Sequence, residues 1–240
     1  LTGNSIDFSL VIPAYNEANS LPAIIEEYKL KKEDIRFQLI IVDNGSTDNT
    51  ANVLDEFKKK KEFSFLTIAT VNPNIGYGNG IYQGLLQAKG SVVGWTHADM
   101  QTPVEDPFRA YNIFIREREK GNKTFVKGHR RKRSFLAKVI TTGLQIFSFI
   151  ILGTRFDDIN GQPKVFDKLL IDKMNNHPLE FSFDTYVQYI AKKNGYTVNS
   201  IPVDFKDRKF GTSSWATSFI NRIITILHYM RDIVKMRKSI

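Results

Sequence analysis

The chain has 240 residues, 42% of them hydrophobic and 25% charged, which suits one sizeable globular domain or a domain with an appendage. It contains no cysteine, so disulfides and thiolate metal sites are excluded, and any metal must sit on oxygen or imidazole ligands. The formal net charge of +9 is concentrated in Lys127–Lys138 and from Lys206 onward, which favours nucleotide phosphates or an anionic leaflet over a nucleic-acid wrap.

The opening residues, Leu1–Asp7, lack a basic stretch leading into an apolar one, so no secretory signal is expected and the chain reads as cytoplasmic. An apolar strand-like run at Phe8–Ile12 is followed by a helical pattern over Ser20–Leu30. The alternation repeats as Phe37–Val42 with Thr47–Lys61, Phe65–Val71 with Gly78–Ala88, and Ser91–Thr96 with Pro107–Glu119. Such alternation predicts an α/β, Rossmann-like, mostly parallel sheet flanked by helices. Ligands of these sheets bind beyond the carboxyl ends of the strands, where strand order reverses. The segments that follow the strands are polar and acid-bearing: Pro13-Ala14-Tyr15-Asn16-Glu17, Asp43-Asn44-Gly45-Ser46-Thr47-Asp48 and His97-Ala98-Asp99-Met100-Gln101. Turn formation and helix capping account for any one of them, with Ser46 or Thr47 expected to cap the next helix. Three on one edge point to a ligand site. If the third is extended, His97, Asp99 and Gln101 face one side as alternate residues.

A basic run, Lys127 with Arg130, Arg131, Lys132 and Arg133, precedes a helix-like segment at Phe135–Leu152. Within it, Val139–Gly153 carries no charge over fifteen residues, short of the roughly 20 that a spanning helix needs. A buried or interfacial helix is expected. Near the end, Phe219, Ile223, Leu227, Met230 and Val234 recur at helical spacing, with Asn221, Thr225, His228, Asp232 and Lys235 on another face. Arg222, Arg231, Arg237 and Lys238 make this a basic amphipathic helix, suited to a membrane interface or to packing on the domain or a partner subunit. The expected division is a catalytic domain over 1–214 and this helix over 215–240.

Val11-Ile12-Pro13-Ala14-Tyr15-Asn16-Glu17, Ile41-Val42-Asp43-Asn44-Gly45-Ser46-Thr47-Asp48 and Gly76-Tyr77-Gly78-Asn79-Gly80 with Gly84-Leu85 resemble, in order and spacing, family 2 glycosyltransferases of the GT-A fold. Within that family the chain most resembles the dolichyl- or polyprenyl-phosphate sugar synthases, over roughly residues 8–215. The resemblance implies an inverting, metal-dependent transfer of a hexose from a GDP- or UDP-sugar to a polyprenyl phosphate. It places the enzyme peripherally on the cytoplasmic face of a membrane, with room for a membrane subunit and no nucleic-acid partner.

By the same resemblance Pro13, Tyr15, Glu17, Val42, Asp43, Asn44 and Gly76 surround the nucleotide, although the family often has a second acid where Asn44 stands. Asp99 holds Mn²⁺ or Mg²⁺ with Gln101 and His97; an imidazole in place of the family's first Asp favours Mn²⁺. Asp158, within Asp158-Ile159-Asn160-Gly161-Gln162-Pro163-Lys164, matches a catalytic acid, with Asp157 leaving the register open by one. Arg130 of Gly128-His129-Arg130 matches an arginine for acceptor or donor phosphate, and Arg208 of the 205–214 segment one near the diphosphate; Ser214 stands where a lysine is common. Two alternatives remain: extension of a glycan or lipid-linked saccharide, with Asp157 or Asp158 as base, and a non-catalytic membrane- or nucleotide-binding module. A nucleotidyltransferase would carry a Gly-rich phosphate loop after the first strand, and Pro13–Glu17 is not one.

Overall fold

The computed structural model describes residues 5–32, 35–131, 135–204 and 219–239. Its seven strands are β1 (Phe8–Ala14), β2 (Phe37–Asp43), β3 (Leu66–Thr70), β4 (Val92–Trp95), β5 (Thr124–Arg130), β6 (Lys164–Asp167) and β7 (Thr197–Val203). They form one sheet in the order β3-β2-β1-β4-β6-β5-β7. β1 to β4 are mutually parallel where they pair, β5 pairs β7 in parallel, and β6 runs antiparallel between β4 and β5. The helices are α1 (Leu21–Lys31), α2 (Thr50–Lys58), α3 (Tyr77–Leu86), α4 (Glu105–Glu119), α5 (Phe135–Leu152), α6 (Phe183–Lys193) and α7 (Phe219–Ser239).

The central strands are apolar on both faces because helices cover both. Phe8, Leu10 and Ile12 of β1 join Phe37, Phe108 and Phe114 in one core, while Val11 joins Val42, Trp95, Phe166 and Phe183 in the other. α3 lies close on the sheet because Gly84 leaves room: a Cβ there would fall 2.3 Å from Val11 Cγ1 and 2.7 Å from Val42 Cγ2. β1 and β2 run past their apolar stretches to Ala14 and Asp43, since ladder pairing continues to those residues. α2 begins at Thr50 rather than Thr47. The Asp48 carboxylate accepts from the Thr50 amide at 2.9 Å, whereas Ser46 Oγ turns away and accepts from the Asn16 amide at 3.0 Å.

α7 packs on α5 and α6 through Tyr229, Asp232, Ile233 and Met236, all buried. The Tyr229 hydroxyl meets Thr185 Oγ1 at 2.7 Å and Ser148 Oγ at 3.1 Å, and Ser182 Oγ donates to Asp232 at 2.7 Å. The face predicted to be apolar, with Ile223, Leu227 and Val234, is the exposed one, and the predicted polar Asp232 is buried. Among the described residues no helix is long and apolar enough to cross a membrane.

Candidate active site

Strand order reverses beside β1, which has β2 on one side and β4 on the other. The carboxyl ends of β1, β2 and β4 therefore open onto one crevice. Antiparallel β6 brings its first residue to the same edge, with Lys164 opposite Trp95 and Lys127. The loop before β6 and the end of β5, with His129 and Arg130, join the crevice in this way.

Asn16 joins the first two loops. At φ 56°, a left-handed conformation that Asn tolerates, it presents Oδ1 to the Thr47 amide at 2.7 Å and the Asp48 amide at 3.3 Å. Glu17 is held by Ser20 Oγ at 2.5 Å, and its amide donates to Thr50 Oγ1. Pro13 is half-buried, and Tyr15, 46% exposed, stands on the rim. Asp43 is buried and accepts from the Ser46 amide at 2.9 Å. Val42 points into the core, so it meets a ligand only through its main chain.

Asn44 and Gly76 are brought together, but onto each other. Asn44 Nδ2 donates to the Gly76 carbonyl at 3.1 Å and to Asn74 Oδ1 at 3.3 Å, and the Gly76 amide donates to Asn74 Oδ1 at 3.0 Å. An acid at position 44 would face these two acceptors, so the amide suits this loop. The glycines of 76–80 serve close packing: a Cβ on Gly76 would lie 2.3 Å from the Leu179 carbonyl, and one on Gly78 2.5 Å from Phe183 Cβ.

The third loop bends at residues 98–100, and Met100 has φ 57°, so the segment is not extended throughout. Asp99 is 8% exposed and accepts from the Gln101 amide at 3.1 Å. His97 is half-buried, its ring 5.8 Å from the Tyr77 ring centroid. Burial foremost lowers its pKa, against the pull of Asp99 and Asp184 and with the push of Lys164 and Arg130, so a neutral imidazole faces Asp99. Carboxylate oxygen, imidazole nitrogen and the Gln101 side-chain carbonyl are donors that suit a divalent ion. No cluster of three or more His, Cys, Asp or Glu groups occurs among the described residues. An ion on Asp99 would complete its shell with ligand oxygens, as ions beside diphosphates do.

On the other side, Arg130 clamps Asp158. Its amide donates to Oδ2 at 2.7 Å, and its guanidinium reaches Oδ1 through Nη2 at 2.5 Å and Nε at 3.1 Å. Asp158 is buried with φ 33°, while Asp157 is exposed and meets His129 Nδ1 at 2.9 Å. Of the two acids between which the sequence left the register open, Asp158 is the buried one and Asp157 the exposed one. Arg208 lies outside the described residues, as do Lys132, Arg133 and the boundary at 214. Sequence reasoning passed over Asp184, which pairs with Lys164 behind His97; an Asp in the first turn of a helix gives only the signal of a cap.

Residues 9–168 match the family model described as glycosyl transferase family 2. The chain is 26% identical over 222 residues to a dolichyl-phosphate beta-glucosyltransferase of Dictyostelium discoideum, covering 85% of this chain and 68% of that protein. It is 28% identical over 215 residues to an undecaprenyl-phosphate 4-deoxy-4-formamido-L-arabinose transferase of Pseudomonas fluorescens, covering 87% and 60%. The chain thus spans about 60–68% of the length of these relatives. Among solved structures it resembles glucosyl-3-phosphoglycerate synthase of Mycobacterium tuberculosis in complex with Mn²⁺, UDP-glucose and phosphoglyceric acid, with a TM-score of 0.74 at 14% identity over 97% of this chain and 80% of that one. Mannosyl-3-phosphoglycerate synthase of Rubrobacter xylanophilus gives 0.70 at 18% identity over 96% and 73%. At such identities these two likenesses speak for the fold, which is of the GT-A type.

Proposed function

The chain belongs to glycosyl transferase family 2, and from that premise we propose that it moves a hexose from a nucleotide sugar to a polyprenyl phosphate, with inversion at the anomeric carbon. The observation that carries this reading is the state of the two carboxylates on the acceptor side. Asp158 is clamped by Arg130 and Asp157 is held by His129, so both are engaged by basic partners. A hydroxyl acceptor calls for a carboxylate base beside it. A phosphate monoester, with its second pKa near 6, is already largely dianionic at neutral pH and needs only cations to hold it. Both curated relatives act, by name, on polyprenyl phosphates.

In this reading residues 1–214 form the catalytic domain. Tyr15, Glu17 and Asp43 take the nucleoside on the loops that Asn16 ties together, with Pro13 and the main chain of Val42 shaping the pocket. Asn44 and Gly76 hold the adjoining loop in place rather than touching base or ribose. Asp99, with His97 and Gln101, holds a divalent cation, Mn²⁺ favoured over Mg²⁺ by the imidazole. When bound there, such an ion would supply charge stabilisation to the departing diphosphate. Arg208 adds a second positive charge there. Arg130, oriented by Asp158, directs the acceptor phosphate toward the face of the sugar opposite the leaving group. Its oxygen forms the new bond to the anomeric carbon as the bond to the diphosphate breaks, so configuration inverts. A peripheral position on the cytoplasmic face of a membrane, with or without a membrane subunit, brings the lipid phosphate to this edge.

The test is consumption of UDP- and GDP-hexoses by the purified protein, with and without Mn²⁺ or Mg²⁺, against polyprenyl phosphate and saccharide acceptors. Turnover should require the metal and the lipid phosphate, and Asp99→Ala should lose at least about 10²- to 10³-fold in rate, the scale for removing one transition-state charge stabiliser. Full activity of Asp99→Ala, or transfer to saccharides alone, would overturn the reading.

A further inference from the structure

A buried polar chain lies behind the Asp99 loop, and no step above uses it. Lys164, fully buried at the start of β6, donates through Nζ to the Asp184 carboxylate of α6 and to the Gly161 carbonyl at 3.3 Å. Gln162 Nε2 donates to Asp184 Oδ1 at 3.1 Å and to the Tyr77 hydroxyl at 3.3 Å. The Tyr77 ring is sandwiched between Phe181, 5.2 Å away at 24°, and His97, 5.8 Å away at 29°. The chain therefore runs from the ion pair through an amide and a phenol to the imidazole beside Asp99.

Packing alone gives a poor account of it. A buried ion pair contributes little net stability compared with apolar residues of the same shape. On the same wall, Gln162 Oε1 is buried without a hydrogen-bond partner, an atom that costs free energy where it stands. What the chain does supply is direction. Asp184 accepts from Lys164 and Gln162 together, which fixes the Gln162 amide, which sets the Tyr77 hydroxyl and the ring against His97.

We propose that Asp184 is a positioning residue for the donor-side loop, acting through Gln162 and Tyr77 on the plane of the His97 ring and on Asp99 beside it. This rests on the reading of Asp99 as the cation holder. Outer partners of metal-holding side chains typically change metal affinity by about 10- to 100-fold when removed.

The experiment uses the full chain with whichever of UDP or GDP the wild type binds, following free Mn²⁺ by its EPR signal and metal-free nucleotide binding by calorimetry. Asp184→Asn and Tyr77→Phe should each raise the Mn²⁺ dissociation constant about tenfold while metal-free nucleotide affinity stays within about twofold. Tyr77→Phe keeps the ring and drops only the hydroxyl, so it decides the matter if Asp184→Asn does not fold. Unchanged Mn²⁺ affinity in a folded variant overturns the proposal, as does a parallel loss of nucleotide and metal affinity. Asp99→Ala separates the two readings: if it binds Mn²⁺ like the wild type, the assignment of the cation site fails; if it loses Mn²⁺ while Tyr77→Phe does not, only the role of Asp184 fails.

Discussion

Lys127 is buried in β5, with its ammonium donating to the main-chain carbonyls of Gly128 at 3.3 Å and Asp158 at 3.4 Å. Burial lowers its pKa to about 8, opposed by Asp157 and Asp158 and reinforced by Lys164 and Arg130. The ordinary lysine value is 10.5, so between about pH 8 and 10.5 the unfolded chain binds the proton that the folded chain has released. Stability therefore rises with pH through that window and is lost again as pH falls to 8. Lys127→Met removes the charge and should be more stable than wild type at pH 7 by up to about 3 kcal/mol, at 1.36 kcal/mol per unit. Denaturant melts at several pH values check it: the gap should close toward pH 10.5, and a gap independent of pH would mean that packing, not charge, sets it. Asp158 makes a second case at this scale. In the proposed function Asp158 anchors Arg130 and is not a base, so Asp158→Asn should raise the acceptor KM about tenfold or more, the cost of loosening a charge-assisted bond worth about 1.5–3 kcal/mol. The fall of kcat/KM below about pH 6 should survive, because it belongs to the acceptor phosphate losing its dianion. Disappearance of that acid limb in the variant would identify Asp158 as the titrating base instead.

At the level of elements, the close approach of β5 to the loop before β6 depends on missing side chains. The Gly128 amide donates to the Pro163 carbonyl at 2.8 Å, and a Cβ on Gly128 would meet the Gln162 carbonyl oxygen at 1.9 Å. Both sides of that contact are main chain, so relief requires a strand to move. Gly128→Ala should cost more than the roughly 1–3 kcal/mol of ordinary overpacking, and should also weaken acceptor binding, because Arg130 and Asp158 flank the contact; a melt within 1 °C of wild type would refute it. The sequence carried the pattern of this edge only in part. Phe8–Ile12, Phe37–Val42 and Phe135–Leu152 were legible because apolar runs bounded by polar segments leave one period to choose. β6 was not, since four residues flanked by Pro163 and Lys168 carry too short a pattern, and its antiparallel direction depends on pairing between β4 and β5. The segments bearing Asp43 and Asp99 were legible by position at or just past their strand ends. The inward turn of Asn44 onto Gly76 was not, because nothing local distinguishes an amide that faces a ligand from one that faces a carbonyl. α7 misled for a related reason. It is apolar on two faces, and the tertiary partners Ser148, Thr185 and Ser182 select Tyr229 and Asp232 for burial.

Over the whole molecule, those two faces become an argument about where the protein works. α5 leaves Val139, Ile146, Phe149 and Ile150 exposed, the last at 70%, on a stripe that also carries Thr142 and Gly143 and no charge. α7, packed against α5, exposes Ile223, Leu227 and Val234 beside Arg231, Lys235 and Lys238. An apolar stripe next to a basic rim suits an anionic leaflet, the stripe fitting the acyl boundary and the rim the headgroups. Near such a surface each Lys or Arg contributes about 1 kcal/mol, and the contribution falls with salt. Vesicles containing anionic phospholipid should therefore co-sediment the protein, less so at high ionic strength, and neutral vesicles should hold it weakly. Ile146→Glu with Ile150→Glu should release it from the vesicles about tenfold or more, since each carboxylate would have to enter an apolar boundary. Neither side chain touches the crevice, so nucleotide binding by the same variant should stay at the wild-type level. If the double variant sediments with anionic vesicles as well as wild type, the stripe belongs to a protein partner, and the charge on α7 alone would account for attraction to lipid.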